Sequence, residues 1–275
     1  MNAEGSETTD HFPAKLLWTA GWDSTYRLLE LILVRERTVQ PYYVGIERTS
    51  AAMELQAMNR IRARLFSAWP ETRARLLDTI FIDKSDVPHD PSLWEALRSL
   101  REMSSSRRLG GQYYDLAIAA ESLDLKDLEL GVHTEEGSLW FDQLVANVDE
   151  GADGAWRLAS IPSLPQLEIF RRFAFPLLHL DKRQMEERAR SAGFDDLLEL
   201  TWFCHTPDRK GRPCGLCAPC RITMQQGLDR RIPKVNRLRH HLLWPIVKLL
   251  GRYRVRHRAK LAWEGLRSAI HDDRR

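Results

Sequence analysis

A chain of 275 residues, 43% hydrophobic and 29% charged, is long enough to bury one good core and has the charge content of an ordinary soluble protein. No apolar run approaches the about 20 residues of a membrane span, which excludes a transmembrane helix. The net charge of +3 is unevenly placed: residues 231–275 hold thirteen Lys/Arg against three Asp/Glu, about +10, and leave the body near −7. Such asymmetry suits an acidic partner, nucleic acid or an anionic membrane face, or else a solvated basic helix packed on the same protein.

Residues 1–13 lack the basic start and apolar stretch of a secretory signal and read as a disordered polar leader. Residues 14–19 form a short apolar strand, then a glycine turn leads to a helical pattern over 24–35. A second strand is expected over 39–46. A helix follows over 50–69, with Met53, Leu55, Met58, Ile61 and Leu65 at helical spacing. A third strand covers 76–82, and a helix over 91–103 carries Pro91 in its first turn, where a missing N–H does no harm. Another helix covers 111–122, a fourth strand 128–132 and a fifth 173–178. Asp181 then caps a helix running to Ala192 and stopped by Gly193. The Gly-rich stretch 147–163 reads as an irregular excursion near the site. Short apolar strands alternating with amphipathic helices predict a Rossmann-like α/β fold, a doubly wound parallel sheet of about five strands. Ligands in such sheets bind beyond the carboxyl ends of the strands, so candidate site residues should follow strands directly.

Four cysteines, Cys204, Cys214, Cys217 and Cys220, fall in one stretch with spacing C-x9-C-x2-C-x2-C and nowhere else. Two-residue gaps let neighbouring thiolates turn back toward one metal, and Gly215 and Pro219 suit the turns. Four sulfurs complete a tetrahedral Zn2+ shell with no open position, which makes the site structural. An iron–sulfur or redox use of the same thiols is the rival. Clustered cysteines without a signal point to metal binding in a reducing cytoplasm rather than to disulfides. The chemistry must then lie elsewhere.

The loop Thr19-Ala20-Gly21-Trp22-Asp23-Ser24-Thr25 joins the first strand to the first helix. Amides at a helix start, with the dipole behind them, attract phosphate oxygens. Gly21 lets a ligand approach the backbone, Thr19, Ser24 and Thr25 add hydroxyls, and Asp23 is placed to cap the helix or face Mg2+. The bland alternative is a plain strand-to-helix turn capped by Asp23.

This loop resembles the SGGxDS pyrophosphate-binding loop of the PP-loop ATP pyrophosphatases, here as TAGWDS. With the cysteine run, the resemblance narrows to 7-cyano-7-deazaguanine synthase and its relatives. Those proteins carry C-x8-C-x2-C-x2-C after a Thr-Trp-x-Cys stretch, and this chain has Thr201-Trp202-Phe203-Cys204. The passage from Phe175 through His179, Leu180, Asp181 and Lys182 resembles the family's PL…LTK strand-to-helix passage. Gly131-Val132-His133-Thr134-Glu135 resembles its GV(N/H)xxD strand end. The resemblance spans residues 14–228 in the same order. It implies an adenine nucleotide alpha hydrolase-like core over 14–230, holding the zinc loop at 204–220; the basic helical extension expected over 231–275 has no counterpart in that family core. It also implies ATP-dependent adenylation of a carboxylate, 7-carboxy-7-deazaguanine or a related acid, with Mg2+ and Zn2+ as further cofactors. Thr19, Ala20, Gly21, Trp22, Asp23, Ser24, Thr25 and Gly131 would cradle the nucleotide, with Asp23, Ser24 and Arg107 catalytic. Arg107 and Arg108 are suited to bidentate contact with phosphate oxygens, or else lie on a solvated loop.

There are departures. Ala20 replaces a loop glycine, so a positive φ there would carry strain. Trp22 stands beside the phosphates, to stack on a ligand or pack against the sheet. The family's substrate-reading YPDCRPEF stretch is absent, and Ser160 to Phe170 occupies its place without the Asp-Cys-Arg. Glu135 and Glu136 end a strand where a family acid would lie, to bind Mg2+ or a base edge, or as solvated glutamates. In the tail, an apolar run over 240–250 precedes Arg252, Arg254, Arg256 and Arg258. It fits an RNA contact, an interfacial anchor, or a homodimer or protein-partner element. His240 and His241 read as surface histidines. Alternatives to the ligase are a catalytically reduced nucleotide-binding or nucleic-acid-binding protein, or a deazapurine-attaching or tRNA-modifying relative.

Overall fold

Five short apolar strands separated by helices can hide both faces only by lying side by side between helical layers. The computed structural model, which describes residues 12–45, 50–103, 109–134 and 139–243, has that arrangement. Strands β1 (Ala14–Leu17), β2 (Val39–Val44), β3 (Ile80–Ile82), β4 (Leu128–Glu129) and β7 (Phe173–Phe175) run parallel in the order β3-β2-β1-β4-β7. The order reverses between β1 and β4, so the crevice expected of a doubly wound sheet opens at their carboxyl ends. The expected leader, apart from Phe12 and Pro13, lies outside the described residues.

Five of the first seven helices among the described residues fall where the sequence places them, and the two short ones, Leu139–Val145 and Asp195–Leu198, were not expected. The seven are α1 (Trp22–Leu29), α2 (Ala51–Ala68), α3 (Pro91–Met103), α4 (Gln112–Ser122), the short α5 (Leu139–Val145), α6 (Lys182–Ser191) and α7 (Asp195–Leu198). The first continues as a π-helical turn over Glu30–Val34, with Arg35 N–H donating to the Glu30 carbonyl, and stops at Glu36, whose φ is 53°. Residue 181 acts as expected: the Gln184 amide donates to the Asp181 carboxylate (2.7 Å) and the Gln184 side chain accepts from the Asp181 amide (2.9 Å). This capping box fixes where the helix begins and therefore where Lys182 stands.

One expectation is corrected. Residues 147–163 are not an irregular excursion but hold an antiparallel hairpin, β5 (Val148–Glu150) and β6 (Trp156–Leu158), added to the sheet beside β7. The turn forms because Gly154 adopts φ 74° and Asp153 accepts from the Ala155 amide. Two three-residue strands, one of them carrying Asp149 and Glu150, are too short and too polar to show an alternating pattern.

The helix that bears the loop is bolted to the sheet by a buried ion cluster. Arg27 donates from Nε and Nη2 to both oxygens of Glu129 on β4 and from Nη1 to Glu30, each at 2.7 Å. Burial lowers the Arg27 guanidinium, but the hydrogen bonds and charges of Glu129 and Glu30 outweigh it and hold the group above its usual range. Breaking one side of such a cluster strands an uncompensated buried charge. Arg27→Met is expected to destabilise the protein by about 3–5 kcal/mol in denaturant unfolding, with Arg27→Met/Glu129→Leu recovering much of the loss. A single-variant loss within experimental error would refute the bolt.

The chain divides into two compact units, Met1–Trp202 and Phe203–Arg275. In the second, α8 (Ala218–Gln225) and a helix over residues 234–243 flank the cysteine loop. No helix among the described residues is long and apolar enough to cross a membrane.

Candidate functional site

A cavity of about 420 Å³ lies at the β1/β4 switch point. Thr19, Gly21, Asp23 and Ser24 wall it from the loop after β1, Val44 from the end of β2, and Leu130, Gly131 and Val132 from the exit of β4. Lys84, Gln112, Tyr113 and Asp115 close the opposite side. A volume of this size lies within the range of small-molecule sites.

The loop is built from backbone geometry. Gly21 is the N-cap of α1, extended at φ −72°, and its carbonyl accepts the first helical bond from Thr25 at 3.0 Å. The amides of Trp22, Asp23 and Ser24 therefore precede the first intrahelical bond and carry the positive end of the helix dipole. The Ser24 hydroxyl sits 3.4 Å from the Gly21 carbonyl and 3.5 Å from the Thr19 amide, folding the loop over itself. Ala20 takes φ 53°, the left-handed conformation a glycine would adopt freely. This costs about 1–2 kcal/mol and is sustained by the Trp202 amide donating to the Ala20 carbonyl (2.8 Å). Gly131 meets the loop where space is short: an added Cβ would lie 3.1 Å from the Asp23 Cβ and 3.2 Å from the Ser24 amide nitrogen.

Asp23 does not cap the helix, because Gly21 holds that position and no side chain caps it. Its carboxylate instead pairs with Lys182 at the start of α6, and His133 Nε2 lies 3.8 Å away. Burial pushes the Asp23 carboxyl up, but Lys182 and His133 outweigh it and hold the group below its ordinary 3.8. A second ion pair, Lys84 with Asp115, stands on the facing wall.

Of the loop residues expected to meet a nucleotide, Thr19, Gly21, Asp23 and Ser24 share the cavity wall with Gly131. Ala20 and Trp22 are buried, and Thr25 is fully buried and accepts the Trp18 indole N–H at 3.0 Å. These three support the wall from behind. Trp22 does not enter the cavity. Arg107, Arg108, Glu135 and Glu136 lie outside the described residues. Lys84 and Asp115 were not singled out from the sequence as site residues, and His133 was visible only inside the resembling strand end. Lys84 follows β3 directly, so the rule that site residues follow strands could have found it. Lys182 was visible only inside the resembling strand-to-helix passage.

The cysteines form a separate centre. Their four Sγ atoms all lie within 4.8 Å of one another, with Cys214 to Cys220 at 3.9 Å and Cys204 to Cys217 at 3.8 Å. A tetrahedral thiolate shell with metal–sulfur bonds of about 2.3 Å needs sulfurs about 3.8 Å apart. The cluster fits a metal ion. The amides of Leu216 and Cys217 reach the Cys214 sulfur at 3.3 Å, and the Cys214 amide reaches the Cys204 sulfur at 3.3 Å. These donors suit sulfurs carrying negative charge. Gly215 must be glycine: its φ is 77°, and a Cβ would lie 2.4 Å from the Asn236 carbonyl oxygen. The nine-residue gap after Cys204 is taken up by a turn in which Asp208 accepts from the Lys210 and Arg212 amides at 2.9 and 3.0 Å.

A glycine-bearing loop at the switch point of a parallel sheet, with Asp23 paired to Lys182, puts the candidate site of this α/β protein where doubly wound sheets bind ligands. The family model of queuosine biosynthesis protein QueC matches residues 114–230. Among curated proteins, the 7-cyano-7-deazaguanine synthase of Magnetococcus marinus is 30% identical over 125 residues, 44% of this chain and 51% of that protein. The 7-cyano-7-deazaguanine synthase of Nitrosococcus oceani is 30% identical over 118 residues, 43% of this chain and 50% of that protein. The chain spans about half the length of these relatives. Over this stretch the chain is similar to the QueC proteins, at the identity of a divergent relative.

Proposed function

We propose that the protein is an ATP-dependent C–N ligase of the 7-cyano-7-deazaguanine synthase type, activating a carboxylic acid for attack by a nitrogen nucleophile. The observation that carries this reading is the cavity wall in which Thr19, Gly21, Asp23 and Ser24 face Gly131 at the β1/β4 switch point. ATP, when bound, supplies the adenylyl group that turns a carboxylate oxygen into a leaving group. The chain's own part is to hold and orient. The amides at the start of α1 and the hydroxyls of Thr19 and Ser24 would hold phosphate oxygens, with Lys182 the neighbouring cation and Asp23 the carboxylate available to Mg2+. Arg107 would add a cation from outside the described residues. Zn2+ would be held by Cys204, Cys214, Cys217 and Cys220 as a structural clip, since four sulfurs leave no position for a reactant.

The acid is left open by residues 160–170, which replace the family's substrate-reading stretch. Leu167, Ile169 and Phe170 of the 3-10 turn Pro165–Phe170 are packed in the core. Side chains committed to packing cannot read a base edge, so an acid other than 7-carboxy-7-deazaguanine is consistent with this segment.

Incubation with ATP, magnesium, ammonia and a panel of acids including 7-carboxy-7-deazaguanine, followed by mass spectrometry, is expected to yield acid-dependent AMP. Asp23→Ala should abolish it. ATP binding without AMP release for any acid would sink the ligase reading and leave a nucleotide-binding protein, the second reading motivated by the strained Ala20.

A further inference from the structure

The helix over residues 234–243 has two unlike faces. Its inner face is clamped: the Asn236 amide donates to the Pro213 carbonyl (2.8 Å) and to the Asp208 carboxylate (3.2 Å), and Arg237 pairs with Asp229. Its outer face carries Val235, Leu238 and Leu242, which are 59%, 59% and 64% exposed. Their i, i+3, i+7 spacing sets them in one stripe along the helix. Helical geometry puts Lys234 on one side of the stripe and Arg239 on the other, and both are exposed.

We infer that this outer face docks on an anionic phospholipid bilayer, with Val235, Leu238 and Leu242 entering the headgroup–acyl boundary and Lys234 and Arg239 meeting lipid phosphates. Single exposed aliphatic residues are ordinary, but a rigidly held stripe of three between two cations is a matched pair of features. A nucleic-acid surface of this kind would be expected to present aromatic rings for base stacking, and the stripe is wholly aliphatic. The charge distribution agrees. Residues 231–275 carry about +10 while the rest of the chain is near −7, so an anionic surface attracts this end and repels the remainder. In sequence the residues that follow the helix, among them Ile246, Val247, Leu249 and Leu250, are mostly apolar, of the types found at membrane interfaces.

The test is co-sedimentation of the full chain with vesicles of phosphatidylglycerol and phosphatidylcholine, against vesicles of phosphatidylcholine alone. Binding should be about tenfold or more stronger to the anionic vesicles and should weaken as salt is raised. The variant Val235→Asp/Leu238→Asp/Leu242→Asp should lose that binding while keeping its bound metal and melting temperature, because the three side chains are exposed. Lys234→Gln/Arg239→Gln should lose part of it. Absence of sedimentation with anionic vesicles would overturn the inference. So would unchanged binding by the aspartate variant, or a wild-type dimer that this variant converts to monomer without any vesicle binding in the wild type.

Discussion

Lys182→Met is expected to cut acid-dependent AMP formation by about a hundredfold or more, the scale of loss when one preorganised group opposite developing charge is removed. Lys182 is the first residue of α6, set there by the Asp181–Gln184 capping box, and its ammonium pairs with Asp23, which lines the cavity. Removing it deprives the site of a cation and also changes Asp23. Burial raises that carboxyl, and Lys182 is the strongest of the influences holding it below 3.8. In the variant the carboxyl should therefore rise, and the acid limb of the pH–rate profile should move to higher pH. The sign for stability follows. A carboxyl depressed in the folded state contributes stability that is present above its unfolded value near 3.8 and is lost as pH falls through the folded value. The wild type should thus gain from this pair throughout the neutral range, and the variant should lose that gain. A full rate with an unshifted profile would remove Lys182 and Asp23 from the proposed machinery.

Removal of the metal is expected to produce the largest loss of structure. The described part of the second unit holds the cysteine loop, a short α8, a 3-10 turn over Asp229–Arg231 and the helix over 234–243, and few large apolar side chains among them are buried. A tetrathiolate clip in a unit of this kind supplies folding free energy directly, and apparent zinc binding in small domains is worth about 10–16 kcal/mol. Treatment with a strong chelator, or Cys214→Ser, should abolish the ordered signals of residues 203–243 in hydrogen exchange. Elemental analysis of the untreated protein should give one zinc per chain. Gly215→Ala should act in the same direction and cost about 3 kcal/mol, since its backbone lies in the left-handed region and its new Cβ would strike the Asn236 carbonyl. Bound iron with thiolate charge-transfer absorption would replace the structural-zinc reading with the iron–sulfur one.

The two halves of the candidate chemistry were unequally legible. The cysteine centre could be read directly, because C-x2-C-x2-C spacing constrains the sulfurs locally and only Cys204 must be brought from a distance. The loop after β1 was legible as a candidate site through Gly21 and its hydroxyl neighbours, and Thr19, Gly21, Asp23 and Ser24 do line the cavity, but the placement of each side chain was not legible. Thr25 has the same hydroxyl as Ser24, yet the single helical step of about 100° between them points Thr25 at the Trp18 indole and Ser24 at the cavity. Asp23 read equally well as a cap or a magnesium ligand. Its pairing with Lys182 joins residues 159 positions apart, beyond the reach of any local pattern.

The sequence by itself determined the alternation of strands and helices, the starts of α3 and α6 and the four-cysteine centre, because these rest on apolar period, capping chemistry and short-range spacing. Only the tertiary structure decided the strand order, the hairpin beside β7, the Arg27–Glu129–Glu30 bolt, and the facing of Lys84 and Asp115 toward the loop. Those features depend on which distant segments pack together. That choice is made by burial summed over the whole core, not by any one stretch of chain.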